Sequence, residues 1–248
     1  MDAVRAAFAT GVERRVNDVR IQVCAAGPRE YWLARTGMGP QKASGVASRL
    51  LAYQPFSLAI STGFACALIA AEIGALLAGG DVMFDGAEAS SPSRMIDVPG
   101  PERDVLLALI TRSEQSAHVG RFVSADHVVG RASEKQRLAR STGAIGLDME
   151  SAALATEARR ARVPFVIVRT VSDLLDEDLP LDFNLFLRPT GWVKGIAMVL
   201  GAPSSLLGLS RLRRQSLTAA RNLTAFFHRY VTTMPTNDTG AGSRSETP

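Results

Sequence analysis

A largely apolar, β-branched run over residues 166–171 stands out among the hydrophobic and polar positions of this chain. A short run of this composition is typical of a strand that is buried on both faces. The run ends abruptly at Ser172 and Asp173. Because open α/β sheets place their ligand cleft beyond the carboxyl ends of strands, this position favours a functional acid. The alternative interpretation is that Asp173 only caps a following helix.

Shorter apolar runs, bounded by glycine and other turn residues, predict the elements that precede this strand. In chain order they are a strand at residues 4–9, a helix at 42–53, a buried strand at 56–61, a helix rich in Ala, Leu and Ile after residue 67, and a strand at 79–84. Residues 36–40 read Thr-Gly-Met-Gly-Pro, and small residues at such a helix start allow backbone amides to approach a ligand.

A second segment, residues 147–153, reads Leu-Asp-Met-Glu-Ser-Ala-Ala and places two carboxylates beside a methionine at the predicted start of an Ala-rich helix. Together with the strand that ends at Asp173, it resembles two motifs of the nucleoside phosphorylase/nucleosidase superfamily. Three further segments are similar to other motifs of that family, in the same order, at residues 36–40, 61–67 and 79–84. The resemblance therefore extends over about residues 4–173.

The resemblance implies an α/β fold with three layers, in which a central, mixed and twisted sheet is flanked by helices. In this family the Met and the Glu of the first motif contact the ribose. The Asp of the second motif protonates N7 of the purine as the glycosidic bond breaks. By position these residues are Met149, Glu150 and Asp173. An acid at the end of a buried strand is suited to such general-acid catalysis.

Further substrate contacts are expected around these residues. Family members contact the base through the main chain that follows the Asp of segment 124–129, so Val128 and Val129 are candidates. Ordinary strand core is the alternative for both. Phe64 stands where the family has a small or hydroxyl residue, and its ring narrows that part of the cleft. We therefore expect Phe64, and Ser172 beside the acid, to contact substrate as well.

A departure from the family pattern concerns the attacking group. The hydrolases of the family carry a Glu after the first strand that activates water, whereas this chain has Arg14 and Arg15 there, with Glu13 displaced. Phosphorylases of the family place an Arg in this region, and a guanidinium fits a phosphate group. Arg14 and Arg15 therefore predict a phosphate subsite, with inorganic phosphate as co-substrate. Phe64 argues the other way, because it removes a hydroxyl that would bind phosphate.

A closer subfamily is suggested by residues 124–129, by Glu134 and Lys135, and by the long C-terminal segment. These features are similar to the hopanoid-associated phosphorylases, which remove adenine from adenosylhopane. The resemblance implies cleavage of the N-glycosidic bond of an adenosine-type nucleoside, and most specifically phosphorolysis of a hopanoid-linked adenosine. Two alternatives stay open. One is a purine nucleoside or methylthioadenosine/S-adenosylhomocysteine hydrolase, and the other is a family member that binds a nucleoside without catalysis.

Length and composition agree with a single domain. With 248 residues, of which 46% are hydrophobic, we expect one domain over residues 1–232 and a disordered polar tail over 233–248. The two cysteines and the lack of a signal peptide indicate reduced thiols and a cytoplasmic protein. Because the three histidines are scattered, we expect no metal site and no other cofactor. The family resemblance implies a homo-oligomer.

Positive charge is concentrated towards the C-terminus. Residues 183–248 hold eight basic and two acidic residues, a net charge of +6, so the first 182 residues carry −2 of the total of +4. Within this part, residues 206–230 have apolar positions at helical spacing with Arg between them, which predicts an amphipathic helix. Such a helix either contacts an anionic membrane surface or docks on the sheet with a basic outer face. Nucleic-acid binding is disfavoured, since few aromatic side chains are available for stacking.

Overall fold

The fold begins with a short helix and a small antiparallel sheet. The computed structural model describes residues 2–8, 10–86, 93–180, 183–184 and 203–233. The first elements are helix α1 (Asp2–Arg5), strands β1 (Val12–Val16), β2 (Val19–Ala26) and β3 (Arg29–Ala34), and helix α2 (Pro40–Leu51). The three strands pair in chain order, each antiparallel to the next.

The remaining strands form one eight-stranded mixed sheet. They are β4 (Ala59–Ala67), β5 (Leu76–Gly79), β6 (Asp81–Asp85), β7 (Ser93–Asp97), β8 (Ala117–Val119), β9 (Phe122–Ala125), β10 (Gly146–Asp148) and β11 (Phe165–Asp173). Their order across the sheet is β7-β6-β9-β10-β4-β11-β5-β8. The helices that accompany them are α3 (Pro101–Thr111), α4 (Ala132–Thr142), α5 (Ser151–Ala161) and α6 (Pro203–Thr233).

Helices cover both faces of the central strand β11, which explains its apolar run. Val166 and Val168 pack with Leu106 of α3 and Leu223 of α6 on one face. Ile167 packs on the opposite face, in a cluster that includes the alanines of α5. Successive strand residues point to opposite faces, so a strand covered on both sides is largely apolar, without alternation along its length. The predicted α/β fold, a mixed central sheet flanked by helices, is confirmed.

The strand predicted over residues 4–9 is wrong, because helix α1 ends at Arg5 and residues 6–8 continue it as a turn. Val4 and Ala7 are both buried in the core cluster that includes α6. Residues three apart share one face of a helix but lie on opposite faces of a strand. Burying both against the same partner therefore favours the helical turn.

The helix predicted after residue 67 is also wrong, since strand β5 follows a loop. Leu76, Leu77 and Ala78 are all fully buried, and a run buried on both sides has no periodicity that separates a helix from a strand. Gly74 marks the change, with a φ of +87° and its amide bonded to the carbonyl of Val171. A Cβ there would lie 2.5 Å from Nδ2 of Asn222 in α6.

The strand predicted at residues 56–61 forms as β4, which begins later and runs further than expected, through the Ser-Thr-Gly sequence at residues 61–63. Gly63 allows this, because its φ of +150° is one that other residues rarely adopt. A Cβ on Gly63 would meet the guanidinium of Arg169 at 3.2 Å. The helix predicted at residues 42–53 is confirmed as α2, which begins and ends two residues earlier than predicted.

Helix α6 includes the predicted amphipathic helix, and the second half of α6 packs on the sheet. Leu223, Phe226 and Tyr230 are buried in the core. The apolar positions of this half are therefore used inside the protein. Apart from Thr233, the last residue of α6, the predicted tail lies outside the described residues. None of the described helices is both long enough and apolar enough to span a membrane.

Candidate active site

The two motif segments meet across strand β4. Leu147 of β10 and Asp173 of β11 are both paired with Cys66 of β4. Since β10 and β11 flank β4, their ends are separated by two strand spacings, about 10 Å. The sheet therefore places Glu150, at the start of α5, and Asp173 on either side of one strand.

Asp148, the first acid of the 147–153 segment, has a structural role. Its Oδ1 accepts hydrogen bonds from the amides of Glu150 and Ser151, at 3.1 and 3.0 Å, at the start of α5. The same oxygen accepts a 2.5 Å hydrogen bond from Ser124 Oγ of β9, and Ser151 Oγ donates to Oδ2. Asp148 therefore joins β9, β10 and α5 and fixes the helix start that carries Glu150.

Arg169 balances this buried carboxylate. Its Nε lies 2.7 Å from Asp148 Oδ2, and the two side chains are 6% and 1% exposed. Its guanidinium also donates to Ser61 Oγ at 3.1 Å and to the carbonyl of Phe64 at 2.9 Å. The sequence prediction missed this residue, although an Arg inside an apolar β-branched run was the signal that could have revealed it.

Glu150 is held by the glycine turn that precedes α2. The amide of Gly39 donates a 2.9 Å hydrogen bond to Glu150 Oε1, and Arg169 Nη2 lies 3.6 Å from Oε2. The Thr-Gly-Met-Gly-Pro segment thus contacts the 147–153 segment through the Gly39 amide, and its predicted approach to a ligand stays a prediction. Met149 is partly buried next to Glu150. Its predicted contact with a sugar stays a prediction.

Asp173 is held from both sides at the end of β11. Its Oδ2 accepts a 2.9 Å hydrogen bond from Lys135 Nζ, and its Oδ1 accepts a 3.0 Å hydrogen bond from Ser172 Oγ. The Asp173 side chain is 15% exposed, while that of Lys135 is fully buried. The predicted acid thus lies beside an ammonium group that the sequence marked only as a subfamily feature.

Cys66 lies between the two carboxylate-bearing strands as a neutral thiol. Burial, with a further contribution from the nearby carboxylate of Asp173, raises the Cys66 pKa far above its ordinary value. Because the thiolate is the nucleophilic form, this residue is not equipped for nucleophilic catalysis. Its Sγ donates to the Ala67 carbonyl at 3.2 Å.

The predicted base-contacting residues follow β9. The amide of Val128 donates to Asn184 Oδ1 at 2.7 Å, and its carbonyl accepts from Asn184 Nδ2 at 2.8 Å. Val129 is buried in the cluster that contains Leu138 of α4, so its side chain is part of the core. A contact of either main chain with a base stays a prediction.

His127, in the same segment, bridges two acids. Its ring nitrogens lie 2.8 Å from Asp126 Oδ1 and 3.2 Å from Glu134 Oε1. Partial burial lowers the His127 pKa, but the hydrogen bonds to both carboxylates outweigh it and raise the pKa above its ordinary value. His127 is therefore more readily protonated than a free imidazole.

The structure does not bring Arg14 and Arg15 to this cluster. Both are exposed on β1, the outer strand of the small sheet, and Arg15 pairs with Asp18 at 3.5 Å. Phe64, on β4, is exposed. In the described part of the chain, no three His, Cys, Asp or Glu side chains are grouped to hold a metal ion.

Comparison with known proteins places these residues in a family context. The sequence matches the phosphorylase superfamily over residues 5–188. It is 27% identical over 172 residues to the 5′-methylthioadenosine/S-adenosylhomocysteine nucleosidase of Staphylococcus aureus, covering 64% of this chain and 75% of that enzyme.

Solved structures of similar enzymes share the fold. An S-adenosylhomocysteine nucleosidase from Streptococcus pyogenes has a TM-score of 0.72 at 15% identity, over 95% of this chain and 92% of its own. The 5′-methylthioadenosine/S-adenosylhomocysteine nucleosidase of Neisseria meningitidis has a TM-score of 0.69 at 17% identity, over 94% and 96%. At identities this low, these likenesses show a common fold.

Proposed function

Because the chain belongs to the phosphorylase superfamily, we propose that it is an enzyme that cleaves the N-glycosidic bond of an adenosine-type nucleoside. The observation that carries this proposal is the register of three strands, which pairs Asp173 and Leu147, three residues before Glu150, with Cys66 on either side of β4. The similarity to nucleosidases that act on 5′-substituted adenosines supports the same substrate class.

In the proposed mechanism, Asp173 donates a proton to N7 of the purine while the bond between C1′ and N9 breaks. The electron pair of that bond leaves with the base, and the sugar becomes an oxocarbenium-like cation that water or phosphate attacks. Met149 and Glu150 bind the sugar, and Ser172 orients the carboxyl group of Asp173. The part of the cleft that receives the base is bordered by Phe64, Val128 and Val129. The fixed hydrogen bonds of Glu150 to Gly39 and of Asp173 to Lys135 support these assignments.

Phosphorolysis of a hopanoid-linked adenosine is the narrower form of the proposal. The Arg pair at positions 14 and 15 suggested it, and the resemblance of residues 124–129 to the hopanoid-associated enzymes supports the substrate. Hydrolysis of methylthioadenosine or S-adenosylhomocysteine is the competing form, supported by the relatives. Arg15 is already paired with Asp18 on an exposed strand, which favours the competing form.

The test is adenine release from adenosine, 5′-methylthioadenosine, S-adenosylhomocysteine and adenosylhopane, with and without inorganic phosphate. We expect adenine from at least one 5′-substituted adenosine. A sugar 1-phosphate that forms only with phosphate identifies phosphorolysis, whereas free sugar at an equal rate in both conditions identifies hydrolysis. If no adenosine compound releases adenine, the proposed activity is wrong.

The homo-oligomer implied by the resemblance is a separate proposal. A peripheral membrane contact through α6 is another. Burial of Leu223, Phe226 and Tyr230 restricts any such contact to the earlier half of the helix, where Arg211, Arg213 and Arg214 are exposed. Attraction of these arginines to anionic headgroups is screened by salt. We expect co-sedimentation of the full chain with anionic vesicles that is lost at high salt. Equal sedimentation with anionic and neutral vesicles, or sedimentation with neither, would mean that α6 has only a structural role.

A further inference from the structure

Lys135 is a lysine whose side chain is completely buried, and its three ammonium hydrogens each have an acceptor. Nζ donates to Asp173 Oδ2 at 2.9 Å, to the Leu174 carbonyl at 3.0 Å and to the Glu177 carbonyl at 2.9 Å. An ammonium has three donors and no acceptor, so the group is fully satisfied. All three acceptors belong to β11 and the turn that follows it, whereas Lys135 lies on α4.

Anchoring of that turn does not by itself require a buried charge. A buried ion pair is often no more stabilising than well-packed apolar side chains of similar volume. Two backbone carbonyls could be satisfied by a neutral donor. The Asp173 carboxylate is the only charged acceptor among the three groups that Lys135 contacts. The ammonium is therefore matched to this carboxylate.

We propose that Lys135 is a positioning residue for the proton donor Asp173. Lys135 donates to Oδ2 while Ser172 Oγ donates to Oδ1, and the two donors together favour one orientation of the carboxyl plane. When Asp173 transfers its proton to the base, negative charge grows on the carboxylate, and the ammonium stabilises that charge as it forms. A preformed charge of this kind needs no reorganisation during the reaction. This inference rests on the proposed function of Asp173.

Gln136, the next residue on α4, provides a matched control. Its Nε2 donates a 2.7 Å hydrogen bond to Asp176 Oδ1, so it anchors the same turn without contacting Asp173. If only anchoring of the turn matters, Gln136→Met and Lys135→Met should impair the enzyme alike. If the ammonium acts on Asp173, only Lys135→Met should impair the chemical step.

The experiment measures kcat and KM for adenine release from the best adenosine substrate in the full-length wild type, Lys135→Met, Gln136→Met, Asp173→Asn and the Lys135→Met/Asp173→Asn double variant. We expect Lys135→Met to lower kcat by about tenfold or more with KM within about threefold. The double variant should be no slower than Asp173→Asn alone, since residues that act through one another are not additive. Gln136→Met should stay near the wild-type rate.

Because Lys135 is buried, each variant is first compared with the wild type by circular dichroism. If Lys135→Met does not fold, the same kinetic comparison is made with Lys135→Gln, which keeps N–H donors but lacks the positive charge. A Lys135 variant with wild-type kcat, a loss that adds to that of Asp173→Asn, or an equal loss in Gln136→Met would overturn the inference while the proposed function stands. Absence of adenine release by the wild type would overturn both.

Discussion

Asp173→Asn is expected to lower kcat for adenine release by about 100- to 10,000-fold, the usual contribution of general-acid catalysis. Asn has nearly the same shape as Asp, and its amide oxygen can still accept the hydrogen bond of Lys135. Folding and nucleoside binding should therefore persist, because the variant lacks only the transferable proton. Steady-state kinetics with isothermal titration of the same nucleoside separates the two effects.

Glu150→Gln is the matched comparison, since it is also a carboxylate-to-amide change, made at the residue proposed to bind the sugar. Loss of the carboxylate weakens its hydrogen bonds to the sugar hydroxyls by about 1–3 kcal/mol, so we expect the larger change in KM. For a nucleoside without its 2′-hydroxyl, the difference in KM between wild type and Glu150→Gln should be smaller.

If Asp173→Asn retains activity within about threefold of wild type, Asp173 is not the proton donor of the mechanism.

Arg169→Met is expected to destabilise the protein by about 3–5 kcal/mol, the cost of leaving a buried ion-pair partner uncompensated. Asp148, whose side chain is 1% exposed, would keep its hydrogen bonds to α5 but lose its counter-charge 2.7 Å away. Ser61 and the Phe64 carbonyl would lose a donor as well. Urea denaturation followed by circular dichroism measures the difference in free energy of unfolding.

The control for this prediction is Arg15→Met, which breaks an ion pair with Asp18 whose side chains are 73% and 84% exposed. Solvent screens exposed pairs, so this change should leave stability almost unaltered. A similar small effect for Arg169→Met would mean that Asp148 is stabilised by its hydroxyl and amide donors alone. Comparing the two variants isolates burial, because both remove an Arg from a carboxylate.

The sequence predicted the parts of this fold in which local pattern and tertiary packing agree. The β11 run is apolar because both faces are covered, and its end at Asp173 was visible without any structure. Helix α5 begins where the 147–153 segment indicated. The prediction failed at residues 4–9 and after residue 67, where burial against α6 or between two layers decided the backbone conformation.

The candidate site residues were predicted from family motifs and, for Asp173, also from the end of a buried strand. Lys135 and Asp173 are 38 positions apart in the sequence, and the pairing depends on how α4 lies against the end of β11. The bond from Arg169 to the Phe64 carbonyl spans 105 positions and depends on the register of two strands. Both pairings depend on tertiary structure, so Lys135 was noted only as a subfamily feature and Arg169 was missed as a member of the site.

The saturated carboxylate of Asp148 divides the acids of this site into two kinds. Its two oxygens accept four hydrogen bonds from the protein, and one of them also pairs with the guanidinium of Arg169. Those contacts use both oxygens of a side chain that is 1% exposed, so Asp148 has little surface left for a substrate. Glu150 and Asp173 keep 16% and 15% of their side-chain surface exposed. They are thus the two motif acids with surface left for a substrate, and Asp148 supports one of them by fixing the helix start that carries Glu150.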